Sequence, residues 1–132
     1  MDFNFGFRIG SLSPDNRLHF YELLAQNLTI SIRGFWSEPD LSDGEKLDRI
    51  YRTNEILHRI TAKVYTLRLN LHEWTEEDIW EMIQGYIGQN EAIEKDVMAA
   101  INFSYKVVAG KLKRRLMLER MPNQSMQRSA RT

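Results

Sequence analysis

The sequence predicts an all-α protein: an antiparallel four-helix bundle with one overlong helix, an extended N-terminal arm and a disordered basic C-terminal tail. Three observations carry this expectation. Apolar residues recur at three- and four-residue spacing in four separate stretches between residues 13 and 121, the period of an amphipathic helix. Three of those stretches open on capping residues: Ser13-Pro14, Ser42-Asp43-Gly44-Glu45 and Thr75-Glu76-Glu77-Asp78. The connections between them are short, which makes neighbouring helices antiparallel. A chain of 132 residues is the length of one domain and needs no covalent staple to hold a core. Residues 13–121 are therefore read as one helical domain, between an arm (1–12) and a tail (122–132).

In the arm, Phe3, Phe5, Phe7 and Ile9 alternate with polar residues or glycine, and period two argues for extended chain. The first helix starts at Ser13-Pro14, with serine as the cap and proline pre-set for the first helical position. Leu18, Tyr21, Ala25, Leu28 and Ile32 form its stripe, and Gly34 after Arg33 supplies a stop. Phe35 and Trp36 then fall in a connecting loop and are expected to cover the core.

The overlong helix is expected over about 42–71. Ser42 and Glu45 can satisfy each other's backbone N–H groups in a capping box. No proline or glycine interrupts the run from Glu45 to Trp74, and Leu47, Ile50, Leu57, Ile60, Val64, Leu67 and Leu71 recur at helical spacing. About thirty residues rising 1.5 Å each would span roughly 45 Å, which suits a helix that runs the whole bundle and reaches a partner. The third helix opens at Thr75, with three acids in its first turn and Trp74 placed to staple onto Ile79. Gly85 and Gly88 weaken its end. Asn90 caps the fourth, whose stripe is Ile93, Val97, Ala100, Ile101, Ser104, Tyr105 and Val108; Gly110 either stops it or lets it run to Pro122.

Composition narrows the function classes. With no cysteine, disulfides and thiolate chemistry are excluded. No charged and apolar leader opens the chain and no apolar run reaches the length of a membrane span, so a cytoplasmic location is expected. Eighteen basic and eighteen acidic residues cancel, but they are segregated. Residues 106–132 carry eight Lys or Arg against Glu119 alone, a net of +7, whereas residues 73–96 carry eight acids against Lys95, a net of −7. Such a split points to an acidic face and a basic end that meet, or to a tail that contacts nucleic acid or an acidic partner. Lys111, Lys113, Arg114 and Arg115 form the core of that basic patch. No stacking aromatics accompany it, so phosphate contact rather than base readout would be its chemistry.

Candidate sites lie mainly on the long helix. Asn54, His58, Thr61 and Tyr65 follow at four, three and four residues and share a face. Facing His19 on the first helix, they would form a polar seam that either sets helix register or opens into a pocket. Glu55-x-x-His58 is half of the motif that holds di-iron sites in helical bundles; the second half is missing, so no metal and no cofactor is expected. Arg52 and His58, with five residues between them, resemble the Arg-x4–6-His pattern of HEPN ribonucleases, helical bundles that act on RNA at a dimer interface. That resemblance covers seven residues and implies Arg52 and His58 as catalytic candidates. The reading favoured over it is a small interaction or structural module acting as a homodimer rather than an enzyme. It rests on the long helix, the N-terminal Phe residues, Trp36, Trp74 and Trp80, apolar surface that a second copy would cover. Binding of nucleic acid or an acidic partner through residues 106–132 is the third alternative.

Overall fold

The computed structural model describes residues 4–71 and 74–120, with side chains described as far as residue 110. The chain is all-α, and the described residues form five helices: α1 (Phe5–Gly10), α2 (Pro14–Trp36), α3 (Asp43–Arg68), α4 (Glu76–Ile87) and α5 (Glu91–Arg120). Helix α2 packs most extensively against α3 and next against α5; α4 packs on α3, and α1 on α4. None of the helices is long and apolar enough to cross a membrane among the described residues.

The expectation of an extended arm is corrected over residues 5–10, which are helical. Asn4 caps α1 by accepting the Phe7 N–H at 3.0 Å. Phe5 and Ile9 are four apart, a spacing common to both periods, and both are buried. Phe7 decides between the periods: an extended strand would place it beside Phe5 and Ile9, but it is 70% exposed. Phe5 stacks on Trp80 with ring centres 5.4 Å apart and meets Phe20 edge-on. Thus part of the aromatic surface expected to await a partner is taken up within the chain, Trp74 and Trp80 being packed on the same core, while Phe7 and Trp36 stay exposed.

Capping follows the sequence closely. Ser13 accepts the Asn16 N–H with Pro14 at the first helical position, and the boxes Ser42/Glu45 and Thr75/Asp78 are both closed. Asn90 accepts from the Ile93 N–H. Helix α2 runs past Gly34 to Trp36, and Phe35 in its last turn is buried with the Arg49 guanidinium 5.9 Å from its ring centre. Trp36 remains exposed.

Helix α3 ends at Arg68, short of the expected Leu71. Asn70 takes φ 58°, and the Leu71 N–H reaches the Thr66 carbonyl while the Asn70 N–H reaches that of Leu67. This is a Schellman stop, with asparagine where glycine is commoner. Helix α5, of 30 residues against 26 in α3, is the longest, since Gly110 does not interrupt it. Residues 122–132, read from sequence as a disordered tail, lie outside the described residues, as do residues 1–3 of the arm.

The core is one cluster drawn from all five helices, with Tyr21, Leu24, Leu28, Ile56, Ile60, Ile83 and Ile101 at its centre. Of the stripe expected on α5, Ile93, Val97, Ala100, Ile101, Ser104 and Val108 are buried and Tyr105 is half-buried against the core. On α3 the inward arc is Thr53, Ile56, Ile60, Lys63 and Val64. Leu47 and Leu71, assigned to that stripe, instead face outward.

Candidate interaction surface

The inward arc of α3 leaves its opposite face to solvent, and helical geometry sets what stands there. At about 100° per residue, Leu47, Tyr51, Tyr65 and Leu69 all point within about 20° of His58, and Asn54 and Ala62 within about 40°. All of these positions are exposed. The four large ones are 58%, 59%, 57% and 68% exposed in chain order. The face is therefore apolar at its two ends and polar in its middle. Arg59 turns toward α4, donating to the Tyr86 hydroxyl, while Thr61 and Arg68 turn toward α2.

The polar seam is assembled only in part. His19 and Thr61, both half-buried, and the exposed Tyr65 line a cavity of about 400 Å³ between α2 and α3, together with Glu22, Gln26 and Arg68. At its rim Arg68 Nη2 donates to Glu22 Oε2 at 2.5 Å, and the same guanidinium lies 5.8 Å from the Tyr65 ring centre. Asn54 and His58 do not line it; they stand on the exposed face. The seam thus divides into a cavity half and a surface half.

Arg52 has a structural assignment. Its Nε donates to both carboxylate oxygens of Asp48 at 3.0 and 3.1 Å, and its Nη1 donates to the Tyr86 carbonyl at 3.0 Å. The Asn90 amide also approaches Asp48, at 3.4 Å. These bonds tie α3 to the turn between α4 and α5. Six residues along one continuous helix, Arg52 and His58 point about 120° apart around the axis, so a single chain does not bring them together. Glu55 and His58 gain no third ligand: among the described residues no group of three or more His, Asp or Glu is placed to hold a metal ion. Lys111, Lys113, Arg114 and Arg115 belong to α5 by backbone, but their side chains lie outside the described residues.

One polar cluster escaped sequence reading. Lys63 is buried, and its ammonium donates to the Trp74 carbonyl, stands 3.4 Å from Glu76 Oε2 and lies 5.8 Å from the Tyr21 ring centre. Tyr21 donates its hydroxyl proton to the same Glu76 oxygen at 3.0 Å. Burial, and next the negative charge of Glu76, hold the Tyr21 phenol far above the ordinary tyrosine value. The cluster joins α2, α3 and the start of α4. Its signal was available: a lysine three residues after Ile60 and next to Val64 falls inside the buried arc. At the other end of α3, the bonds from Ser42 hold the Glu45 carboxyl below its usual value.

Comparison with protein families, curated proteins and solved structures finds no match for this chain.

Proposed function

We propose that this protein is a small helical association module that works as a homo-oligomer through the outward face of α3. The observation that carries the reading is the row Leu47, Tyr51, Tyr65 and Leu69: four large, largely apolar side chains on one line along α3 and its C-cap, each more than half exposed. Scattered exposed apolar residues are normal, whereas an aligned set on a rigid element is the form an interface takes. Tyrosine suits such a surface, because it supplies large contact area at low entropic cost and keeps a polar tip. The polar centre, Asn54 and His58, would set register, as single polar residues do in helix pairs.

The test is the solution mass of the wild type beside that of Leu47→Glu/Tyr51→Glu. The wild type is expected to reach twice the chain mass at micromolar concentration, and the double variant to stay at one chain mass with unchanged helicity. Phe103→Glu, at an exposed position on α5, serves as the control and should leave association intact. A wild type that remains monomeric across the range, or a control that dissociates as readily as the α3 variant, would overturn the proposal.

A further inference from the structure

The four large residues of the outward face are placed symmetrically about His58. Leu47 and Leu69 lie eleven positions either side of it, Tyr51 and Tyr65 seven, and Asn54 and Ala62 four. Leucine therefore mirrors leucine and tyrosine mirrors tyrosine, and each mirrored pair is alike in exposure. In an antiparallel two-fold pair centred on His58, residue i of one copy meets residue j of the other while j meets i, so this placement sets leucine on leucine and tyrosine on tyrosine. A face built for an unrelated partner has no reason to repeat itself in reverse.

Resting on the association reading above, we infer that the partner is a second copy bound antiparallel along α3, with the two-fold axis passing at His58. At a rise of 1.5 Å per residue, the tyrosine pairs stand about 10 Å from the axis and the leucine pairs about 16 Å. Each Tyr51 meets Tyr65 of the second copy, and each Leu47 meets its Leu69. The two His58 side chains face each other at the centre, where Asn54 lies opposite Ala62. With helix axes 8–10 Å apart, apolar contacts close both ends and the polar centre forbids a shift by one turn. That shift would set Tyr51 against Ala62 or Leu69 and leave the histidines unopposed. On the flank toward α4, Glu55 and Arg59 stand one turn apart, and the rotation lays each Glu55 beside Arg59 of the second copy, with opposite charge.

The absence of cysteine in the wild type makes the register measurable. Single-cysteine variants His58→Cys, Tyr51→Cys, Tyr65→Cys and, as a collisional background, Phe103→Cys are oxidised mildly at tens of micromolar. Circular dichroism checks their fold. His58→Cys is expected to form a disulfide-linked dimer some tens of times faster than Phe103→Cys, roughly the ratio of a millimolar effective concentration within the complex to the free protein. Tyr51→Cys and Tyr65→Cys alone should stay at background, because their own copies lie about 21 Å apart across the axis. Their equimolar mixture should cross-link. A wild type of dimeric mass whose His58→Cys variant and tyrosine mixture cross-link no faster than Phe103→Cys would overturn the two-fold but leave association through α3 standing. A monomeric wild type would overturn both.

Discussion

Replacing Lys63 by methionine tests the buried cluster that locks the start of α4 to the rest of the bundle. Methionine keeps most of the unbranched stem and removes only the ammonium. The loss comprises the pairing with Glu76 at 3.4 Å, the bond to the Trp74 carbonyl and the contact with the Tyr21 ring. At an effective dielectric constant of about 20, the Coulomb attraction at that distance is about 5 kcal/mol before desolvation is subtracted. Lys63 is 6% exposed and Glu76 13%, so both partners have given up most of their water. Removing one member of such a pair costs about 3–5 kcal/mol, because the other charge is left buried. The lower end applies here. Glu76 retains the Tyr21 hydroxyl, and as the first residue of α4 it sits where the helix dipole favours a carboxylate. A loss of about 3 kcal/mol is a large share of the 5–15 kcal/mol typical of a domain, and urea unfolding followed by circular dichroism would show it plainly. Adding Glu76→Gln should recover part of the loss, since the stranded charge is gone, so the two substitutions are not additive. A Lys63→Met protein within about 0.5 kcal/mol of wild type would refute the reasoning, and so would a double variant as unstable as the sum of the singles.

Two further outcomes follow from single positions. Gly88 holds φ 59° and ψ −127°, and an added Cβ would lie 3.1 Å from Arg52 Nη1. Gly88→Ala is expected to cost about 1–3 kcal/mol in chemical denaturation, and a neutral result would show that the turn is not constrained. The raised ionisation of Tyr21 acts at alkaline pH. A phenol held neutral in the fold contributes stability that is fully present below its unfolded value of about 10 and is lost as pH rises above it. The last step of tyrosinate absorbance should therefore coincide with loss of helicity, and Tyr21→Phe should abolish that step. Complete titration of all five tyrosines in a still-helical protein would contradict this.

The helices and their starts could be read from the chain because their causes are local. Ser13, Ser42, Thr75 and Asn90 cap through bonds three residues away, which spacing alone reveals. The stops were harder, since Asn70 acts through a positive φ that its residue type permits but does not require. Which face of a helix is buried depends on its neighbours. Leu47 matches the spacing of Ile50 and Leu57, yet among the described residues it stays exposed, whereas Lys63 is buried because the Trp74 carbonyl and Glu76 arrive to receive its charge. The line Asn54–His58–Thr61–Tyr65 was recognised as a shared face, but its division between cavity and surface is set by where α2 lies. Arg52 looked available for chemistry because its acceptor, the Tyr86 carbonyl, is 34 residues away.

Hydroxyl-radical footprinting of the wild type, at a concentration where it is dilute and at one a hundredfold higher, tests the central claim directly. Tyr51 and Tyr65 are exposed in the single chain, and so is Phe103 on α5. Association through the outward face of α3 predicts that both tyrosines become protected on concentration while Phe103 does not. Equal labelling of the tyrosines at both concentrations would contradict the account, and so would protection confined to Phe103.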